Sequence, residues 1–186
     1  MLLPGLFALL LFIPAATTAG EILASSVTHA DGRYGLAITA RINAPVDAVM
    51  RAITDYSNLA AINPDIEVSE LLETTPAGVS TVRTVVNVCI LVFCKRVQQL
   101  QHVTYPRADT IEAVIVPEGS DFRSGFARWR LASISALTTE LEFNQTFEPD
   151  FWVPPLIGPW LIRRKLVGEV AETVMYIEAQ QAAGTP

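Results

Sequence analysis

Histidines, cysteines and basic residues are few in this sequence. Its 186 residues include two His and two Cys, and 13 Lys and Arg stand against 19 Asp and Glu. The net charge of -6 at pH 7 argues against a nucleic-acid partner, because binding to phosphates needs a basic face. A metal site is also a weak interpretation, since Cys89, Cys94 and His102 supply at most three ligands at no familiar spacing.

Motifs of catalysis are missing as well. The chain has no G-x-S-x-G element for a nucleophilic serine, no glycine-rich phosphate loop and no dinucleotide fingerprint. Neither His29 nor His102 has a neighbouring Ser, Cys or metal-ligand partner at useful spacing. The sequence therefore predicts no catalytic residue, no metal and no cofactor.

The first 19 residues differ in character from the rest. Leu6 to Ile13 is an unbroken apolar run, too short to span a bilayer, and Thr17-x-Ala19 suits cleavage by a signal peptidase before Gly20. We expect residues 1–19 to be a signal peptide, cleaved near Ala19, and the protein to be periplasmic. No Lys or Arg precedes the apolar run, so an uncleaved interfacial anchor or a different start is the alternative.

The remaining residues, 20–186, are predicted to form one folded domain, since 51% of the chain is apolar and 17% charged. A long helix is expected from Pro159 to about Ala182. Its apolar residues recur at helical spacing: Trp160, Val167, Val170, Ala171, Val174 and Ile177. About 25 residues at 1.5 Å each give a length of roughly 37 Å, enough to cross a small domain.

Strands precede this helix. Alternating patterns and turn residues predict about seven of them, over 27–42, 66–72, 79–89, 94–103, 110–116, 122–131 and 138–147. Two short helices are expected after the first strand, one beginning near Pro45 and one over 59–62. The fold class is α+β, with consecutive antiparallel strands in a curved sheet around the C-terminal helix.

If the protein is exported, Cys89 and Cys94 are expected to form a disulfide, because such pairs are usually bonded in an oxidising compartment. Along one straight strand they would lie about 16 Å apart, whereas a disulfide needs Cα atoms within about 7 Å. The disulfide therefore requires a turn between them, and it would stabilise that turn by roughly 2 kcal/mol. Free buried thiols are the main alternative.

Three segments resemble a known family. They are Ile42-Asn43-Ala44-Pro45-Val46-Asp47-Ala48-Val49 with Asp55-Tyr56, Gly119 to Leu131 with Trp129, and Phe147-Glu148-Pro149 with Pro155 and Arg163-Arg164. Their order resembles the START-like superfamily, which includes polyketide cyclases and dehydrases, and most closely its coenzyme Q-binding family. The resemblance implies a helix-grip fold. Ile62 stands where that family often has a tryptophan, and the cysteine pair is not a general family feature.

A sheet that curves around a helix is expected to leave a cavity lined mainly by apolar side chains. The predicted lining residues are Phe126, Trp129, Phe143, Phe147, Trp160, Val167 and Val174. The alternative is that each of these residues is ordinary core. Two further apolar segments are predicted to form the cavity mouth or a membrane contact: Ile90, Leu91, Val92 and Phe93 at a hairpin tip, with Phe151 and Trp152 before the helix.

Three functions follow from these patterns. The first is an exported carrier or sensor that binds a hydrophobic small molecule, a lipid or an isoprenoid quinone, without chemistry and with a transient membrane contact. Arg163, Arg164 and Lys165 would then meet anionic headgroups, or else form a solvated helix face. The second is an enzyme of the cyclase or dehydrase type, with Arg128, Arg130 or Tyr105 as candidates. The third is a module that docks on a membrane protein through the hairpin tip.

Overall fold

The computed structural model describes residues 20–90, 93–153 and 158–184. In these ranges the chain forms one eight-stranded antiparallel sheet and two α-helices. The strands are β1 (Glu21–Ala30), β2 (Arg33–Ile42), β3 (Ile66–Thr74), β4 (Ser80–Ile90), β5 (Phe93–Arg107), β6 (Thr110–Ile115), β7 (Phe122–Ser135) and β8 (Thr138–Pro149). The helices are α1 (Val46–Thr54) and α2 (Gly158–Ala182), and a short 3-10 helix covers Leu59–Ala61.

The prediction of about seven strands is wrong by one, because the stretch expected as a single first strand is a hairpin. Ala30 pairs with Arg33, and the two residues between them, Asp31 and Gly32, have positive φ angles of 51° and 77°. Positive φ at both central positions matches the twist of antiparallel strands, and Asp-Gly is a strong signal for such a turn. Strand β1 therefore folds back along β2.

The strand order across the sheet is β1-β2-β8-β7-β6-β5-β4-β3. From β3 to β8 each strand pairs with the next in sequence, as the turn signals predicted. The exception lies between β2 and β3, which end up far apart because β2 pairs with β8. Helix α1 and the 3-10 helix make this connection.

One face of the sheet, here called the inner face, packs against α1 and α2. Strand β2 shows why: its buried residues alternate with less buried ones along the strand, so one side must meet a core. Val174 and Ile177 of α2 pack into that core with Val49 of α1 and four sheet residues, Ala40, Ile42, Leu131 and Leu141. The C-terminal half of α2 is thereby fixed to the sheet.

Candidate functional site: a cavity under helix α2

A cavity of about 630 Å³ lies between the inner face and the N-terminal half of α2. Its volume is within the range of small-molecule sites, roughly 300–1,000 Å³. Strands β4, β5 and β8 supply one wall, through Val86, Val88, Cys89, Val97, Gln99, Gln145, Phe147 and Pro149. Phe122, Phe151 and Val153 extend this wall, and α2 supplies the other through Trp160, Arg164, Lys165, Leu166, Gly168, Glu169 and Glu172.

Strand alternation builds the sheet wall. Val86 and Val88 are two residues apart on β4 and therefore point to the same face. The same spacing places Gln145 and Phe147 together on β8. Val97 pairs directly with Val86, so neighbouring strands continue the apolar surface.

Aromatic rings cluster at one end of this wall. Phe122 meets Phe147 edge-on at 5.7 Å between ring centroids and Phe151 at 6.1 Å. Tyr34, which is buried, stacks on the other side of Phe147 at 5.5 Å. Such offset and edge-on pairs stabilise each other beyond their buried area, so this end of the cavity is held in shape.

The α2 wall is polar. Lys165 donates a hydrogen bond to Asp65, and its Nζ lies 3.7 Å from Oε1 of Glu169, one turn further along the helix. Burial lowers the pKa of Lys165, but the bond to Asp65 and the nearby Glu169 and Glu172 outweigh it, so that this pKa is raised overall. The lysine therefore stays protonated inside the cavity wall.

The pKa of Glu169 is raised as well, but here burial is the main cause. Burial raises the pKa of its carboxyl group, and the charges of Asp65 and Glu172 add to the rise. Lys165 and a hydrogen bond with Asn63 lower the pKa, but not enough to cancel burial. A carboxyl group with a raised pKa is more easily protonated, and in that form it can donate a hydrogen bond to a ligand oxygen.

The structure places the predicted cavity residues in several different surroundings. Phe147 and Trp160 line the cavity, although Trp160 is still 60% exposed. Trp129 lines a separate small cavity of about 90 Å³, where Phe143 stacks on it at 4.9 Å. Val174 is buried in the core with Ile177, and Val167 is a half-buried α2 residue that does not line either cavity.

Phe126, the remaining predicted residue, lies on the opposite face of the sheet. It pairs with Thr146 and with Val114, and the guanidinium of Arg128 lies 5.3 Å from its ring. Since side chains alternate along a strand, Phe126 cannot share a face with Trp129. Its assignment to the cavity wall is therefore corrected.

The residues predicted for the mouth are placed only in part. Phe151 lines the cavity, whereas Trp152 beside it is 79% exposed. Leu91 and Val92 lie outside the described residues. Ile90, the last residue of β4, pairs with Phe93, the first residue of β5. The cysteines next to them form the predicted disulfide, with their Cα atoms 4.0 Å apart on facing strands.

The side chains considered for cyclase-type chemistry lie elsewhere. Arg128 and Arg130 are exposed and form ion pairs with Glu112 and Glu142, at 2.7 Å and 3.6 Å. Tyr105 is 43% exposed, and its hydroxyl lies 2.8 Å from that of Tyr56. Burial and this hydrogen bond raise the pKa of Tyr56. None of the three candidates lines the large cavity.

Several lining residues were not predicted. Val86 and Val88 carried a signal, because they alternate along a predicted strand. Gln145 lies two positions from Phe147 and so shares its face, but a polar residue is not an obvious choice for a cavity wall. Arg164 and Lys165 were expected at headgroups or in solvent, whereas the structure places both in the α2 wall.

Among residues 20–90, 93–153 and 158–184, no group of three or more His, Cys, Asp or Glu side chains is placed to hold a metal ion. In the same part of the chain, no helix is long and apolar enough to cross a membrane.

An antiparallel sheet wrapped around one long helix, with a cavity between them, is the helix-grip arrangement. The family model for polyketide cyclase / dehydrase and lipid transport matches residues 42–167. That match covers more than half of the chain, and the protein belongs to this family. No curated protein sequence matches it.

Solved structures share the fold. The Zhui aromatase/cyclase from a Streptomyces species aligns with a TM-score of 0.64 and 17% identity, over 80% of this chain and 93% of that one. A STAR-related lipid transfer protein from Xanthomonas axonopodis aligns with a TM-score of 0.59 and 17% identity, over 84% and 97%. A START superfamily protein from Mycobacterium smegmatis gives 0.64 and 17%, over 78% and 95%. At these identities the likeness establishes the fold alone.

Proposed function

We propose that the protein binds a hydrophobic small molecule in the cavity under α2 and carries it without changing it chemically. The observation that carries this proposal is the cavity itself, about 630 Å³ with an apolar sheet wall. Burial of an apolar chain there would supply most of the affinity, since each buried methylene contributes about 0.8 kcal/mol. A chain of a dozen carbons thus needs no strong polar anchor.

The α2 wall gives the ligand an orientation. Lys165 and Glu169 place a donor and a carboxyl group on the side opposite Val86 and Val88. A ligand with an apolar chain and a compact polar end, such as a lipid or an isoprenoid quinone, would put its oxygens against α2 and its chain along the sheet. The resemblance to coenzyme Q-binding proteins favours the quinone, and the lipid transfer neighbour favours the lipid.

The periplasmic location is proposed from the predicted signal peptide. In the aqueous periplasm a lipophilic molecule is poorly soluble unless a protein binds it. Trp152, with 79% of its surface exposed beside Phe151 of the cavity wall, is suited to a brief contact with a membrane surface, because tryptophan partitions to the lipid–water interface.

A pair of variants tests ligand binding. Val88→Trp puts a large ring into the cavity wall, while Val114→Trp adds the same ring on the outer face, where Val114 is 52% exposed. We expect Val88→Trp to weaken binding of a fluorescent fatty acid at least about tenfold, or about 1.4 kcal/mol, and Val114→Trp to bind like the wild type. Fluorescence titration measures both.

Two results would count against the proposal, one from this titration and one from mass spectrometry of the bound molecule. Equal binding by wild type and Val88→Trp would show that the probe sits outside the cavity. Covalent change of the bound molecule, detected by mass spectrometry after incubation, would replace the carrier by an enzyme of the cyclase type.

A further inference from the structure

Gly20, the first described residue, is held by a carboxylate. Its backbone nitrogen lies 2.9 Å from Oε2 of Glu178, in a partly buried position. The other oxygen of the same carboxylate, Oε1, accepts a hydrogen bond of 2.7 Å from the backbone nitrogen of Asn43. Glu178 of α2 thus joins the beginning of β1 to the end of β2.

The space around Gly20 fits glycine alone. A Cβ atom there would collide with Oε1 of Glu178, and it would lie 2.6 Å from the carbonyl oxygen of Arg41 and 2.6 Å from Cγ1 of Val174. Contacts this short require the backbone or the buried Val174 to move. The backbone nitrogen of Gly20 is therefore enclosed by α2 and β2 at a fixed position.

We propose that Glu178 is a docking site for an amino-terminal ammonium group, made when an endopeptidase cleaves the bond between Ala19 and Gly20. Water is the co-reactant: the C–N bond breaks, the carboxyl group of Ala19 takes the water oxygen, and the freed amine of Gly20 is protonated. Glu178 then faces a cation with three N–H groups, where the uncleaved chain offers one amide N–H. The bond from the amide to the carboxylate is already charge-assisted, and the ammonium group adds further donors and the attraction between two opposite charges.

The bond between Gly20 and Glu178 also affects the cavity, because both involve helix α2. Glu178 lies one residue after Ile177, which fixes the C-terminal half of α2 in the core, and the other half of the same helix forms the polar wall. Cleavage before Gly20 would therefore tighten the attachment of the helix that covers the ligand. This inference concerns maturation and does not depend on which ligand is bound.

The test begins with the full-length chain expressed in a bacterium that exports proteins. Intact mass and N-terminal sequencing of the purified protein should give Gly20 as the first residue. Acetylation of its α-amine should be slow in the folded wild type and several-fold faster in Glu178→Gln, which keeps the side-chain shape but not the charge. Glu178→Gln should also lower the Tm by about 2–6 °C.

Glycine variants supply the matched control. Gly20→Ala should lower the Tm because its Cβ collides with three groups. Gly168→Ala, in α2 with nothing within 4 Å of the new Cβ, should leave the Tm unchanged or raise it, since alanine favours helix. A purified protein that starts at any residue other than Gly20 would overturn the proposal. So would equal acetylation rates for wild type and Glu178→Gln.

Discussion

At the scale of single residues, Thr139 shows how a polar group is used in the core. It has no exposed surface, and its Oγ1 donates a 2.8 Å hydrogen bond to the carbonyl oxygen of Ala44. This bond ties β8 to the segment that leads into α1. The packing of α1 against the sheet therefore depends partly on one hydroxyl group.

Replacing Thr139 by valine tests this role. Valine keeps the shape but leaves the Ala44 carbonyl without that donor, and we expect a loss of about 1–3 kcal/mol in the free energy of unfolding. Thr139→Ser keeps the hydroxyl and should lose less. Urea denaturation compares the three proteins, and a loss for Ser equal to or larger than the loss for Val would show that the methyl group contributes at least as much as the hydrogen bond.

Glu169 gives a prediction about pH. Its pKa is raised in the folded protein, mainly by burial, so that between the unfolded pKa and the folded pKa the folded state holds the extra proton. Stability contributed by this group is therefore fully present below the unfolded pKa and is lost as the pH rises through the folded pKa. In Glu169→Gln this decline should be absent. Tm measured in steps upward from pH 4 would show it, and parallel curves for both proteins would contradict it.

Sequence patterns could place a side chain on a face of the sheet, but not over the cavity. Phe143 and Phe147 share one face of β8, yet Phe147 lines the cavity and Phe143 stacks on Trp129. Phe126 lies an odd number of positions from Trp129, so the two side chains point to opposite faces. Lys165 and Glu169 were beyond prediction, since their burial depends on where α2 crosses the sheet.

At the scale of elements, periodicity was the reliable signal. Helix α2 ends at Ala182, as expected from its apolar spacing, and begins at Gly158, one residue before the predicted Pro159. The order of β3 to β8 also agrees with the turn residues. Strand β1 was missed as a separate strand because it is an edge strand with mostly exposed side chains and little alternation, although Asp31-Gly32 carried the hairpin signal.

The disulfide gives the element-scale prediction. Cys89 and Cys94 face each other across β4 and β5, so that the bond closes a short loop and should stabilise the hairpin by roughly 2 kcal/mol. A Cys89→Ser, Cys94→Ser double variant should lose about this much free energy of unfolding in urea. Wild type with reductant should match it, while the double variant should not respond to reductant. A wild type unaffected by reductant would contradict the prediction.

At the scale of the whole molecule, the two halves of α2 have different tasks. The C-terminal half packs into the core through Val174 and Ile177. The N-terminal half, with Lys165 and Glu169, stands over the cavity instead of closing onto the sheet. This division leaves an apolar volume that the chain's own side chains do not fill, which is the physical basis for a hydrophobic ligand.

Native mass spectrometry of the wild-type protein from an exporting host, followed by organic extraction, would show whether the cavity under α2 holds a ligand. We expect a complex with one lipid-like or quinone-like molecule, released unchanged into the organic phase and absent from Val88→Trp. A wild-type protein that is empty and binds no added lipid or quinone would contradict it.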